Sequence, residues 1–121
     1  MKKINSHEDL EIWKKSIDLV KETYEVTKDF PPQEIYVLAA QMKRAALSVA
    51  CNIAEGAGRR SYSEFLQFLY VSLGSLTELE TQFIIARELG FLENIDKFRA
   101  SVKLIRIMLS ALIKKLGQNI P

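Results

Sequence analysis

Apolar residues recur at alternating spacings of three and four positions along most of this chain. The longest series of this kind consists of Ile95, Phe98, Val102, Ile105, Leu109, Leu112 and Leu116. Such spacing places all of these side chains on one face of an α-helix. No segment alternates over a useful length with the period of two that an amphipathic strand requires. Because the 121 residues include only five glycines and three prolines, we expect a few long helices with short connections.

Breaks in this pattern divide the chain into four predicted helices. They cover residues 7–29, 33–55, 62–89 and 95–116. Long amphipathic helices with short connections pack by default against their chain neighbours in alternating directions. The sequence therefore predicts a single domain over residues 1–121. Its expected fold class is all-α, with the chain folded as an antiparallel up-down four-helix bundle.

Local signals mark three of the predicted helix ends. Ser6 and Asp9 have the spacing of a capping box before the first helix, and Ser61 and Glu64 have the same spacing before the third. Gly56 is predicted to close the second helix as its C′ residue, because glycine adopts the left-handed conformation without steric cost. The second and third helices are therefore expected to meet at a tight corner.

The apolar series also predict which helix faces turn towards the core. In the first helix the predicted buried series is Leu10, Trp13, Ile17, Val20 and Tyr24. In the second helix it is Ile35, Leu38, Met42, Ala45, Val49 and Ile53. In the third helix it is Phe65, Leu69, Leu76 and Phe83.

The third helix carries more apolar residues than one buried face requires. Leu66, Val71, Leu73 and Ile85 fall outside its main series. A helix that is apolar nearly all round must be buried nearly all round. A monomer of four helices does not easily provide that burial, so the sequence predicts a homo-oligomer.

Basic residues concentrate in the last helix, although the net charge of the chain is only +2. From Lys97 to Pro121 there are six basic residues and no acidic one, so the stripe on this helix is expected to be unrelieved by acid. The candidate nucleic-acid contacts are this stripe, two corner arginines and two basic residues of the second helix: Arg99, Lys103, Arg106, Lys114, Arg59, Arg60, Lys43 and Arg44. Basic residues that share a surface neutralise phosphates. The alternative is that the stripe is an ordinary solvated helix face.

Residues suited to catalysis or metal binding are scarce. The only histidine, His7, has no glutamate three residues before it, so a di-iron bundle site of the Glu-x-x-His type is not expected. The only cysteine, Cys51, is expected to be a small buried hydrophobe rather than a nucleophile. No glycine-rich phosphate loop is present. We therefore expect no enzyme activity, no catalytic residue, no metal and no cofactor.

Cellular location is also constrained by the sequence. The longest run without charge, residues 65–77, has thirteen residues and is too short to span a bilayer. The first residues lack the apolar segment of a signal peptide, and a single cysteine forbids an internal disulfide. We expect a cytoplasmic protein without a membrane partner.

The segment SVACNIAEGAGRRSYSEFLQFLYVSLGSLTELETQF, residues 48–83, resembles a four-helix bundle family, the 23S rRNA-intervening sequence proteins. Members typically read close to S-x-P-x-N-I-A-E-G-x-G-R-x-S, then E-F, F-L and A-x-G-S-L-x-E-L-E-T. The matching positions to which we assign a structural role are Asn52, Glu55, Gly56, Ser61, Glu64 and Gly74. The likeness covers about residues 9–92. The family often has proline where this chain has Ala50, so any kink in the second helix is expected to be weaker here.

The resemblance implies a bacterial protein with an antiparallel bundle fold that assembles into a ring-shaped homo-oligomer, a pentamer in the family. Function in this family is largely unknown. A similar bundle serves as the accessory protein of diversity-generating retroelements, a basic pentamer that binds nucleic acid and a reverse transcriptase. By analogy we expect a non-enzymatic scaffold associated with RNA or DNA. The alternative is a protein–protein interaction adaptor with no nucleic-acid role, which the near-neutral net charge favours.

Glu55 is unusual for its position near a helix end. A carboxylate in the last turn opposes the helix dipole by about 0.3–1 kcal/mol. We expect Arg59 or Arg60 to fold back and pair with Glu55, while Asn52 completes the hydrogen bonds. In this interpretation the corner is mainly a folding signature, with at most one arginine left to contact a partner.

Overall fold

The computed structural model describes residues 7–120, apart from the side chain of Asp9, and this range contains helices and turns but no strand. The four α-helices are α1 (Glu11–Thr27), α2 (Leu38–Ala57), α3 (Tyr62–Glu88) and α4 (Asp96–Gly117). Two 3₁₀ turns, His7–Asp9 and Pro32–Glu34, precede α1 and α2. The predicted all-α class with four helices is confirmed. Within the described range, no helix combines the length and the apolar character that a membrane crossing requires.

The helices surround one core in chain order, and neighbouring helices run in opposite directions. Between α2 and α3, Ser48 contacts Ser75 and Val49 contacts Ser72, so residue numbers rise in one helix as they fall in the other. Between α3 and α4, the rings of Phe83 and Phe98 stack with centroids 4.4 Å apart. Helix α1 closes the bundle by packing against both α2 and α4.

The core consists of the inward faces of all four helices. Its largest fully buried side chains include Leu19, Met42, Ile53, Leu69, Leu76, Phe83, Ile105 and Leu109. The predicted core faces of α3 and α4 are confirmed, with Phe98 and Leu112 half-buried at the margins of the α4 series. Along α2, the predicted series is buried from Met42 to Ile53. Burial of this apolar surface, at about 25 cal/mol per Å², is the main favourable term in folding.

The predicted core face of α1 is wrong by one position. The buried residues are Ile12, Ser16, Leu19, Thr23 and Thr27, whereas the predicted series lies half-buried beside them and Tyr24 is exposed. Three of the buried residues carry hydroxyls, which are satisfied within the helix. Ser16 donates to the Trp13 carbonyl (2.6 Å), Thr23 to that of Leu19 (2.7 Å) and Thr27 to that of Thr23 (2.8 Å). Because these local bonds remove the cost of burying a hydroxyl, polar residues occupy the core positions.

The start of α2 also differs from the prediction. The helix begins at Leu38 rather than at residue 33, because Pro32–Glu34 forms a separate 3₁₀ turn. Ile35, which was predicted to be buried, is exposed together with Tyr36 and Val37. The first helix is likewise shorter than predicted, and it lacks a side-chain cap at Leu10. Ser6, the proposed cap residue there, lies outside the described residues.

Helix α3 has well-defined caps at both ends. The Ser61 hydroxyl accepts from the Glu64 backbone N–H (3.2 Å) and donates to the Glu64 carboxylate (3.3 Å), which confirms the predicted cap. At the other end, Gly90 has φ of +81°, and its N–H donates to the Arg87 carbonyl (3.0 Å). The Phe91 N–H donates to the Ala86 carbonyl (2.9 Å), which completes a Schellman motif.

Gly56 does not close α2 as predicted. It lies inside the helix and is buried, and α2 continues to Ala57 with Gly58 as its cap in a right-handed conformation. A Cβ at position 56 would lie 2.8 Å from Phe68 Cβ and 2.9 Å from Phe65 Cδ1. The glycine is therefore required by the close approach of α2 and α3 rather than by a left-handed turn.

We expect Gly56→Ala to lower the free energy of unfolding by about 1–3 kcal/mol, because the added methyl group would overpack the α2–α3 contact. Equilibrium urea denaturation measures this change as a lower midpoint with an unaltered m value. Gly58→Ala is the matched control, since its Cβ would meet only the Glu55 carbonyl at 3.6 Å and the Ala54 carbonyl at 3.9 Å. Equal midpoints for both variants would contradict this role of Gly56.

Candidate nucleic-acid interface

The predicted basic stripe on α4 lies along the side that packs towards α3. Arg106 Nη2 lies 3.1 Å from Glu80 Oε1 and 3.4 Å from Thr77 Oγ1. Arg99 Nε lies 3.8 Å from the other carboxylate oxygen of Glu80. The expectation that no acid relieves this stripe is therefore wrong. The relief comes from the antiparallel neighbour, which the charges of α4 alone do not reveal.

The local charge nevertheless remains positive. Glu80 is a single carboxylate with 21% side-chain exposure, and two guanidinium groups share it. Arg99, Lys103 and Arg106 share this side of α4, so three positive charges stand against the one carboxylate. Lys103, between the two arginines, is exposed and forms no ion pair within the described part of the chain.

Glu80 and Thr77 are residues of this site that sequence reasoning missed. They lie in the family-like segment SLTELET, where Glu80 is a motif position and Thr77 is the variable position of the pattern. A usable signal exists, because residues 77 and 80 are three apart and therefore share a helix face. Recognising that this face meets α4 requires the packing of α3 and α4 to be known.

The remaining basic candidates do not join this cluster. Lys43 lies on the α1 side of α2, with its Nζ 5.1 Å from the centroid of the Tyr24 ring, and Arg44 is exposed on the outside of α2. Lys114 lies in the last turn of α4, and Arg59 follows α2. Because α2 and α4 both run antiparallel to α3, Lys114 and Arg59 lie at one end of the bundle and Arg99 at the other. The structure thus separates the predicted contacts into several surfaces.

The charged corner between α2 and α3 is largely self-contained. Arg59 Nη2 lies 3.1 Å from Glu55 Oε1, which confirms the predicted pairing. The Arg59 guanidinium carbon also lies 4.6 Å from the centroid of the Phe68 ring, a cation–π contact. Asn52 does not complete this arrangement as predicted, because its amide donates to the Ser48 carbonyl (2.8 Å) and hydroxyl (3.0 Å). Arg60 is exposed and forms no ion pair among residues 7–120.

The motif residues of α2 and α3 form a seam of small and polar side chains between the two helices. The buried Ser72 hydroxyl donates to the Val49 carbonyl (2.8 Å), and the hydroxyls of Ser48 and Ser75 lie 2.8 Å apart. Gly56 completes the seam at the corner end. These contacts fix how closely the two helices pack, so most of the motif has a structural role.

Cys51 is exposed, contrary to the prediction that it is a buried hydrophobe. Val49, Ala50 and Ile53 occupy the core positions of this part of α2, so Cys51 falls on the opposite side of the helix. Among the residues that the structure describes, no three His, Cys, Asp or Glu side chains are grouped to hold a metal ion.

Replacing each corner arginine separately distinguishes a structural role from a contact role. Arg59→Ala removes an exposed ion pair and a cation–π contact, so we expect stability to fall by about 0.5–1.5 kcal/mol. Arg60→Ala should stay within about 0.5 kcal/mol of the parent, as is usual for exposed sites. Chemical denaturation of the two variants, which carry the same net charge, measures the difference. Equal midpoints would show that the pairing of Arg59 contributes nothing to folding.

Comparison with known proteins agrees with the motif along α2 and α3. A comparison with curated proteins gives no match. The family model described as 23S rRNA-intervening sequence protein matches residues 8–111, which include all of α1, α2 and α3 and most of α4. The chain therefore belongs to the 23S rRNA-intervening sequence protein family.

Proposed function

We propose that this protein is a non-enzymatic, oligomeric scaffold of the bacterial cytoplasm that binds the phosphates of RNA or DNA along the α3-facing side of α4. The observation that carries this proposal is the pairing of Arg99 and Arg106 with one shared carboxylate, Glu80, while Lys103 between them stays exposed and unpaired among residues 7–120. Three positive charges against one negative charge leave this surface able to attract a polyanion.

The spacing of these residues suits a phosphate backbone. Arg99 and Arg106 are seven positions apart, so their Cα atoms lie about 10 Å apart along the helix, with Lys103 between them. A guanidinium group presents a planar fork of donors that fits phosphate oxygens, and lysine adds a mobile point charge. Glu80 holds both arginines on one side of α4 before any ligand arrives. Such contacts recognise a backbone rather than a base sequence.

Assembly would increase the affinity of so small a surface. The family likeness implies a ring-shaped pentamer, and the exposed apolar side chains of α3 support a second copy as a partner. In a ring, each subunit would contribute the same few phosphate contacts to one nucleic-acid strand. Because the sites are linked, the overall avidity would exceed the affinity of one subunit.

An interaction adaptor without a nucleic-acid role is a second candidate. It is favoured by the exposed apolar segment before α2, where Tyr36 is 89% exposed beside Ile35 and Val37. Exposed apolar patches of this kind commonly mark protein-binding sites. The two candidates differ in whether binding to a partner survives removal of nucleic acid.

A matched pair of triple variants tests the proposed interface. The interface variant carries Arg99→Gln, Lys103→Gln and Arg106→Gln, and the control carries Lys14→Gln, Lys21→Gln and Lys28→Gln on exposed positions of α1 and its C-terminal end. Each variant has three fewer positive charges than the parent. We expect the interface variant to bind single-stranded RNA at least tenfold more weakly at low salt. We also expect a shallower salt dependence, by about 0.7 in the log–log slope for each phosphate that the variant no longer neutralises.

Fluorescence anisotropy titrations at several salt concentrations measure both quantities. The control should bind almost as tightly as the parent protein. Equal and salt-insensitive binding by all three proteins would contradict the proposed interface. A protein partner that remains bound after nuclease treatment of a cell extract, together with that result, would favour the adaptor.

Glu80→Gln provides the opposite change at the same surface. It removes the carboxylate that pairs with both Arg99 and Arg106, so we expect tighter RNA binding and a steeper salt dependence than in the parent. Glu93→Gln, in the turn after α3, is the control because Glu93 is exposed and forms no ion pair among residues 7–120. The same titrations measure both variants, and weaker binding by Glu80→Gln would contradict competition between the carboxylate and phosphate.

A further inference from the structure

Gly74 lies in the middle of α3 without any reason that the single chain supplies. It is exposed and has no positive φ, and a Cβ at this position would meet nothing within 4 Å. Glycine inside a helix is less stable than alanine because it loses more conformational freedom on folding. At Gly56 this cost is offset because the glycine allows α3 to pack closely against α2. No part of the described chain packs against Gly74 in this way. A close contact from outside the subunit would supply such packing.

Exposed apolar side chains lie next to Gly74 on the outer side of α3. Tyr70 is 58% exposed and Val71 is 53% exposed, one turn before the glycine. Ile85 and Leu89 are exposed farther along the same side of the helix, beyond the polar residues Glu78 and Thr81. Glu78 lies one turn after Gly74, also exposed. We call this surface, from Tyr70 to Leu89, the α3 outer face.

A second exposed apolar series runs along α4 on the side away from the core. It keeps the alternating spacing of three and four and has a lysine at each end. Its members are Lys97, Ala100, Leu104, Ile107, Ala111 and Lys114. Leu104 is 44% exposed and Ile107 is 57% exposed. We call this series the α4 outer stripe.

The α4 outer stripe has the sequence pattern of a packed helix seam but is ill suited to pairing with itself. Lys103 and Lys115 lie beside it, in addition to the lysines at its ends. Two such stripes in contact would bring the lysines of both copies together, and like charges across an interface oppose association. An acidic apolar surface is the complementary partner. The α3 outer face offers this complement near its centre, where Glu78 is exposed, while Glu88 near its end already lies 3.3 Å from Arg87 of the same chain.

We propose that the α4 outer stripe of one subunit docks on the α3 outer face of a second copy, with the two helices closest at Gly74. Leu104 and Ile107 would pack beside Tyr70 and Val71, so that the lysine at one end of the stripe would lie near Glu78. The contact is heterologous, because two different surfaces meet, and it therefore leads to a closed ring or an open chain of subunits. This inference rests on the oligomeric part of the proposed function and is independent of nucleic-acid binding.

Two variants each block one surface. Gly74→Leu fills the α3 outer face, and the double variant Leu104→Ser, Ile107→Ser removes the apolar centre of the α4 outer stripe. Both changes lie at positions that are exposed in the single subunit, so each subunit should fold. Leu47→Ser, which alters an exposed apolar residue of α2, is the control. Light scattering after gel filtration measures the mass of each protein.

We expect the parent and the control to have a multiple of the chain mass of 13.8 kDa, and each blocked variant to be a monomer. An equimolar mixture of the two blocked variants should then form a dimer and stop there. Each mixed pair retains one intact α3 outer face opposite one intact α4 outer stripe, and its other two surfaces are blocked. Formation of a dimer from two monomeric variants is expected only if the contact joins two different surfaces.

Other outcomes overturn the inference in distinguishable ways. If both blocked variants keep the parent mass, the subunits associate elsewhere and the proposed scaffold function stands. If the α4 variant alone forms a dimer and the mixture gains nothing, the α3 outer face pairs with its own copy. A parent protein that is a monomer at micromolar concentration would overturn both this contact and the oligomeric part of the proposed function.

Discussion

The close approach of α2 and α3 is the contact on which the rest of the bundle depends. Gly56 leaves room for Phe65 and Phe68, and the buried hydroxyl of Ser72 bonds directly to the α2 backbone at Val49. Neither interaction tolerates a larger or differently shaped side chain, because a close-packed interior has few voids. The short distance between α2 and α3 sets the position of α3, and this position determines which residues the other sides of α3 contact.

One consequence is the electrostatic state of α4. Glu80 faces α4 because the side of α3 that carries Ser72 and Ser75 is held against α2. Its carboxylate then lies between Arg99 and Arg106 and gives both side chains a fixed partner. The side of α4 that faces α3 thus carries two arginines with a fixed partner, rather than basic side chains that contact only solvent. The packing seam of the family motif and the proposed phosphate-binding surface are coupled through α3.

The sequence was sufficient for the four helices and for most of the core, and each of its failures has a physical cause. Periodicity identified the core positions of α3 and α4 because apolar side chains there face the core directly. It misplaced the core face of α1 because Ser16, Thr23 and Thr27 satisfy their hydroxyls on the helix backbone and so behave as small core residues. It also misassigned Gly56, because a glycine near a helix end can either end the helix or allow a neighbouring helix to approach closely. Only the position of the neighbouring helix distinguishes these two roles.

The candidate site was less predictable because its ion pairs join two different helices. The basic residues of α4 could be named from the sequence, but their state depends on Glu80, which lies 19 and 26 positions earlier in the chain than Arg99 and Arg106. The ion pair of Arg59 with Glu55 was predictable because its partners are four residues apart on one helix end. Local pairings could therefore be inferred from spacing, whereas pairings between helices required the fold.

The distribution of charge and apolar surface on α4 is best understood if the helix has three separate uses. Its inner face, with Val102, Ile105 and Leu109, belongs to the core. Its α3-facing side orients Arg99 and Arg106, and its outer stripe carries Leu104 and Ile107 between lysines. In a head-to-tail assembly the outer stripe would be covered by a neighbouring subunit, while the arginines would remain beside the junction. Phosphates would then bind next to each subunit contact, at the arginines that the contact leaves uncovered.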